Sequence, residues 1–210
     1  VTQVFLASRN AKKLAEMQRI LAEHVPDIEV LGLDDVTPYD EPAETEPTFE
    51  GNALIKARVA VEATGLPSLA DDSGLCVDAL NGMPGVLSAR WSGSRNGSVD
   101  RDRANNELLL DQIHDVPDER RGAHFTSAVA FAYPAGAGGV VEHVVHGTMP
   151  GRVIREMRGA GGFGYDVLFV ADGHELTSAE LPPDEKDAIS HRGKALREIA
   201  PFVAGVLTGL

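Results

Sequence analysis

Two adjacent carboxylates, a hydroxyl and a glycine stand in a row at Asp71-Asp72-Ser73-Gly74, directly after the apolar run Leu66-Pro67-Ser68-Leu69-Ala70. Paired acids of this kind suit a divalent cation. The run reads as a short buried strand and Gly74 as a sharp exit from it, so the carboxylates would stand at a strand end, where active sites collect. Adjacent strand residues point to opposite faces, so at most one acid easily faces a given ligand and the other needs its own partner. The same four residues also make an ordinary turn, and alone they do not choose between the two.

Three further stretches carry chemistry. Ser8-Arg9-Asn10-Ala11-Lys12-Lys13 follows a strand and opens a helix, which places backbone N–H groups, a hydroxyl, an amide and cations where an anion binds. A capped helix with solvated lysines uses the same residues, and no Walker loop occurs in the chain. Gly159-Ala160-Gly161-Gly162-Phe163-Gly164 satisfies the dinucleotide pattern in letters only, because the following Tyr165-Asp166-Val167-Leu168-Phe169-Val170 reads as a strand rather than a helix. A glycine-rich loop that lets backbone and one aromatic ring approach a ligand fits better, with a surface loop as the alternative. Ser190 caps a closing helix and puts His191 and Arg192 in its first turn, where the helix dipole disfavours cations unless an anion or acceptor compensates. His143 and His146, three apart on a strand, face opposite ways and make a poor metal pair.

The elements that must position these residues follow from periodicity. Residues 3 to 7 form a buried first strand. Asn10 caps a helix whose Leu14, Met17, Ile20 and Leu21 share a face, while Lys12, Lys13, Glu16 and Arg19 fall mostly elsewhere. A second strand spans about Ile28 to Leu33. Asp34 to Glu50 holds seven acids and no base and is a loop. Thr48 opens a helix that stops at Gly65-Leu66-Pro67. A turn at Gly82 to Val86, a polar stretch from Arg90 to Gly97 and a helix from Arg101 to Ile113 come next. Ala123 to Tyr133 and Val140 to Gly147 pair as a long hairpin, Asp166 to Val170 is a strand, and a helix from Ser190 to Leu207 carries Pro201 as a kink point. Strands and helices alternate at both ends, so the fold class is α/β with a mixed sheet. No repeat or long linker divides the chain.

The 210 residues, 43% hydrophobic, suffice for one good core or two small lobes. A net charge of −13 excludes long nucleic acid and anionic membranes as partners for the surface at large, while local basic clusters still bind small anions because distant charges are screened. The single Cys76 rules out an internal disulfide, fits a reducing compartment and reads as core packing. No signal-like or membrane-spanning run is evident, so a cytoplasmic location is expected.

Five ordered motifs then coincide. Ser-x-Asn-x-x-Lys, Glu-Thr-x-x-Thr-Phe-x-x-Asn-Ala-x-x-Lys-Ala, Ala-Asp-Asp-Ser-Gly-Leu, Gly-Gly-Phe-Gly-Tyr-Asp and Ser-His-Arg-Gly-x-Ala, between residue 4 and about residue 200, resemble the non-canonical purine nucleoside triphosphate pyrophosphatases, the inosine/xanthosine triphosphate pyrophosphatases. The resemblance implies one two-lobed domain over 1–210, an elongated mixed sheet flanked by helices with the site in the cleft between lobes, and a homodimer. It implies Mg2+-dependent hydrolysis of dITP, ITP or XTP to the monophosphate and pyrophosphate. By position, Ser8, Asn10 and Lys13, with their neighbours Arg9, Ala11 and Lys12, would hold the triphosphate. Glu44 and Asp72 would hold Mg2+, Asp72 would accept the proton, and Ser73 would touch substrate. Phe163, Gly164, Tyr165 and Asp166 with Lys186, His191 and Arg192 would hold base and phosphates. Asn52, Lys56 and Asp71 would support the site.

Two departures stand out: Glu46-Pro47 where relatives commonly have a glycine after the acidic pair, and Val167 in place of the proline usual after Phe-Gly-Tyr-Asp. The first bears on the approach of Glu44 to metal, the second on strand entry. Hypoxanthine and xanthine carry a carbonyl where adenine carries an amino group, so buried donors from Arg192, His191 or backbone would discriminate between them. The competing readings are a nucleotide-sensing module without hydrolysis, a house-cleaning pyrophosphatase for other modified nucleotides and, far behind, an NAD-linked oxidoreductase.

Overall fold

The computed structural model describes residues 2–93 and 98–209, so part of the polar stretch expected from Arg90 to Gly97 lies outside the described residues. The fold is mixed α/β. Strands hydrogen-bond in the order β2 (Ile28–Leu31), β1 (Thr2–Leu6), β3 (Ser68–Val77), β5 (Gly122–Pro134), β6 (Val140–Val153) and β7 (Phe169–Ala171), and β4 (Met83–Pro84) pairs with β3. Parallel pairs β1–β2 and β1–β3 and antiparallel pairs β3–β4 and β6–β7 make the sheet mixed. The helices are α1 (Ala11–Ala22), α2 (Phe49–Thr64), α3 (Ser98–Gln112), α4 (Pro183–Ile189) and α5 (His191–Thr208). The chain divides into two compact units: Val1–Asp72 with Ser127–Gly147 and Arg192–Leu210, and Ser73–Thr126 with Thr148–His191.

In the first unit β1 is apolar on both faces, as a parallel strand covered on both sides must be. Val4 and Leu6 pack with Met17 and Leu21 of α1 and Leu196 and Ile199 of α5. Phe5 faces the other way, with Leu33 and Ala60. On that side Ala53 and Ala57 of α2 meet Ala70, Ala128, Ala130 and Ala132 of the strands. Small side chains on both surfaces let α2 lie close to the sheet, which brings Asn52 and Lys56 down to β3. In the second unit Leu75, Leu109, Ile113, Phe125, Met149 and Phe169 form the core. The buried Arg121 guanidinium donates to the carbonyls of Ile113, Val153 and Ile154 at 2.6, 2.9 and 3.1 Å and so satisfies the end of α3.

Several expectations need correction. The strand before the two acids does not end at them: β3 continues through Asp71, Asp72, Ser73 and Gly74 to Val77, and Gly74 is not an exit. It is a contact point, since a Cβ there would lie 2.4 Å from both the Gly85 carbonyl oxygen and Ser88 Oγ. β6 runs on past Gly147 through Pro150 and Gly151, where the register with β7 leaves no room for a side chain: a Cβ on Gly151 would sit 2.2 Å from the Val170 carbonyl oxygen. Residues Gly164–Val167 are a 3-10 turn, and the strand expected from Asp166 is confined to Phe169–Ala171. Helix α4 was not anticipated. Glu16, placed off the apolar face of α1 by periodicity, is buried at 8% exposure. Among the described residues no helix is long and apolar enough to cross a membrane.

Candidate functional site

The turn from β1 into α1 is built as its residues require. Asn10 takes extended backbone angles and its Oδ1 accepts from the N–H groups of Lys12 and Lys13 at 3.0 and 3.3 Å, while the Asn10 N–H donates to Ser8 Oγ at 3.2 Å. Arg9 lies exposed, with Nε 2.7 Å from Glu41 of the acidic loop. Ala11 and Lys12 are exposed on the first turn. Lys13 turns inward, and its Nζ lies 2.9 Å from both carboxylate oxygens of Asp71.

Extended backbone at 71 and 72 separates the two acids, as strand alternation requires. Asp71 is gripped by Lys13 and by Arg192 Nε at 3.1 Å, and Arg192 Nη1 lies 3.0 Å from Glu16. Two cations and two carboxylates thus meet in one cluster, and Asp71 is held well below the ordinary carboxylate range: burial pushes it up, but Lys13, Arg192 and Lys56 outweigh that. Burial lowers Lys13, with Asp71 opposing, and Arg192 is raised because Asp71 and Glu16 outweigh its own burial.

Asp72 meets different partners. Lys56 Nζ lies 3.2 Å from its Oδ1 and Asn52 Nδ2 lies 3.3 Å from its Oδ2. The same ammonium reaches Glu44 at 3.0 Å and the Asp71 carbonyl at 2.7 Å. One cation therefore serves two carboxylates. Burial, with Glu44 adding to it and Lys56 and Asn52 opposing, pushes Asp72 up to about 6. At the Glu46-Pro47 departure Asn52 ties down the loop: its Oδ1 accepts from the Glu46 N–H at 2.9 Å and its Nδ2 donates to the Glu46 carbonyl at 3.3 Å. A groove lined by Ala7, Tyr39, Glu41, Pro42, Glu44 and Lys56, about 260 Å³ in volume, adjoins this cluster.

The second unit gathers the other predicted residues. Phe163 is half-buried, with Lys186 Nζ 5.5 Å from its ring centroid. Asp166 is buried and committed: its Oδ2 accepts from the Phe163 N–H at 2.9 Å and from Lys186 Nζ at 2.6 Å. Tyr165 is buried with its hydroxyl donated to the Ser88 carbonyl at 2.9 Å, and burial raises its pKa. His191 stacks on Phe125, centroids 4.9 Å apart and planes 10° from parallel. Ser73, half-buried, begins this unit's part of β3. His143 and His146 make no pair: the first stacks on Phe202 at 4.3 Å, and the second lies 3.6 Å from Glu50.

A model of the Ham1 family matches residues 4–202. The chain belongs to the Ham1 family. Its relatives include a protein of Nocardia farcinica named dITP/XTP pyrophosphatase, 58% identical over 207 residues that cover 98% of this chain and 97% of the relative. Among solved structures, a nucleoside-triphosphatase / dITP/XTP pyrophosphatase from Mycobacterium abscessus is 54% identical with a TM-score of 0.72, covering 95% of this chain and 99% of the other. A HAM1 protein from Coxiella burnetii is 40% identical with a TM-score of 0.83 and full coverage of both chains. Sequence reasoning had reached the Ham1 motifs but missed Glu16, whose partner Arg192 is 176 positions away. It also missed Ser88, which accepts from the Leu75 N–H at 2.9 Å and from Tyr165.

Proposed function

We propose that this chain hydrolyses dITP, ITP and XTP to the nucleoside monophosphate and pyrophosphate with Mg2+, clearing deaminated purines from the nucleotide pool, and that it works as a cytoplasmic homodimer. The observation that carries the reading is the Glu44–Lys56–Asp72 cluster, two carboxylates sharing one ammonium, in a chain whose full-length relatives bear the name dITP/XTP pyrophosphatase.

The donor set fits the metal. Among the described residues no three His, Cys, Asp or Glu side chains form a ready-made cation cage. Mg2+ does not ask for one: it is usually held by one or two carboxylates, with substrate phosphates and water completing its shell. Glu44 and Asp72 would hold it, and when bound it supplies positive charge against the phosphate oxygens. Lys13 and Lys56, with the Ser8 to Asn10 turn, bind and orient the triphosphate. Positioning and electrostatics are most of what phosphoryl transfer requires. Asp72 takes the proton of the water that attacks the α-phosphorus, and pyrophosphate leaves. Ser73 touches substrate. Phe163, Gly164 and Lys186 receive the base with His191, and hydrogen bonds to Asp71 and Glu16 fix the plane of the Arg192 guanidinium for the same purpose.

A turnover panel of ITP, XTP, dATP and GTP with Mg2+, read by pyrophosphate release, tests the assignment. Pyrophosphate from ITP and XTP, with dATP and GTP far slower, is expected. A nucleoside diphosphate product would sink the α-phosphorus mechanism, and equal turnover of all four would sink the base choice.

A further inference from the structure

We propose that Asp102 and Asn106 of α3 are positioning residues for substrate: they hold Gly164 by its backbone N–H and C=O and so set the Phe163 ring for the purine. The proposal rests on the reading above that the Phe163 loop receives the base. Phe163 lies between two glycines with left-handed backbone, Gly162 at φ +67° and Gly164 at φ +62°. Such a segment has more freedom than most sequences allow, so a fixed ring direction has to be imposed by bonds from outside it. Two turns of α3 supply them. Gly164 N–H donates to Asp102 Oδ2 at 2.7 Å, and Asn106 Nδ2 donates to the Gly164 carbonyl at 2.9 Å.

Residues 102 and 106 are four apart, on one face of the helix, which is the spacing that lets both side chains reach the backbone of a single residue. The clamp is braced from behind, because Asn106 Nδ2 also donates to the Asp102 carbonyl at 2.7 Å and Asn106 is only 2% exposed. On the ring's own side the Asp166 carboxylate accepts the Phe163 N–H. It also explains why residue 162 lacks a side chain: a Cβ there would lie 2.1 Å from Asp166 Oδ2. The Phe163 N–H and both backbone groups of Gly164 are thereby held before substrate arrives. A ring ordered in advance does not pay its conformational entropy on binding, so the clamp should act on affinity rather than on the chemical step.

Asp102 is exposed and separate from the reacting groups, which makes it the better test position. Asp102→Ala removes the acceptor, Asp102→Asn retains one through its amide oxygen, and Asn106→Asp removes the donor to the Gly164 carbonyl. Steady-state kinetics with ITP and Mg2+ and hydrogen exchange at the Gly164 amide in nucleotide-free protein are read on each. Asp102→Ala is expected to raise KM about 3- to 10-fold, the range set by one net hydrogen bond, with kcat little changed and Gly164 exchange faster. Asp102→Asn should return both towards the parent, and Asn106→Asp should raise KM like the alanine variant. Unchanged Gly164 exchange in Asp102→Ala overturns the clamp; faster exchange with unchanged KM overturns its role toward substrate. A parent protein that does not turn over ITP overturns the nucleotide reading instead, and the exchange result stands apart from it.

Discussion

Asp72→Asn separates what the carboxylate costs the fold from what it does in the reaction. In the folded chain Asp72 is raised from an ordinary value near 3.8 to about 6. At 1.36 kcal/mol for each pH unit, ionising it in place costs about 3 kcal/mol more than ionising it in the unfolded chain. The sign follows from proton binding. Between these two values the folded state binds the proton more tightly, so the group's contribution to stability is fully present below pH 3.8 and is lost as pH rises through about 6. Asn has the shape and charge of the neutral acid at every pH. The variant, stripped of metal by a chelator, should therefore be more stable than the parent at pH 8 by about 3 kcal/mol, roughly 6–12 °C in Tm for a chain of this size. At pH 4 the gain should shrink to under about 1 kcal/mol. Mg2+ should stabilise the parent by mass action and leave the variant nearly unchanged. Turnover of ITP should be abolished. Thermal and denaturant unfolding at the two pH values measure the difference. No gain at pH 8, or an equal gain at pH 4, would refute the placement of an electrostatically strained carboxyl at this position.

The neighbouring cluster predicts the opposite sign. Arg192→Ala takes a buried cation from both Asp71 and Glu16, and stability should fall by about 3–5 kcal/mol in denaturant titration, with Arg192→Lys recovering part of it. Because Asp71 is held below its ordinary value, its contribution is present above pH 3.8 and is lost only as pH falls through the depressed value, so the parent should retain it at pH 4 where Asp72 no longer matters. Lys56→Met removes the one ammonium shared by Glu44 and Asp72; kcat for ITP should fall on the order of 10²–10³-fold, and a loss smaller than tenfold would show that the ammonium serves the fold alone.

Features encoded by neighbouring residues were legible in the sequence. Asn10 and Thr48 cap the helices assigned to them, and Gly65 ends α2 with a left-handed backbone, because a cap needs only residues a few positions away. The apolar positions Met17, Ile20 and Leu21 are buried as their spacing requires. What failed depended on distant chain. Asp-Asp-Ser-Gly has the composition of a turn, and only the Gly85 carbonyl and Ser88 pressed against Gly74 show why it continues as a strand. Pro150 and Gly151 likewise hid the end of β6, whose glycine answers to β7 rather than to its own neighbours. Glu16 looked like part of a solvated face until Arg192 supplied its charge partner. The motifs named candidate residues in order, but not which acid is engaged by which base.

That last distinction decides which carboxylate can do chemistry. Had residues 71 to 74 formed a turn, both acids could have swung toward one ligand. In an extended strand they cannot, and their surroundings diverge: Asp71 has both oxygens on Lys13 and a further bond from Arg192, whereas Asp72 shares Lys56 with Glu44. For Asp71 to bind metal or take a proton it would have to give up its bonds to two buried cations, Lys13 and Arg192. Asp72 gains from either event, since a proton or a divalent cation offsets the cost of its buried charge. The strand, continuing through both acids, is therefore what gives two adjacent carboxylates different partners.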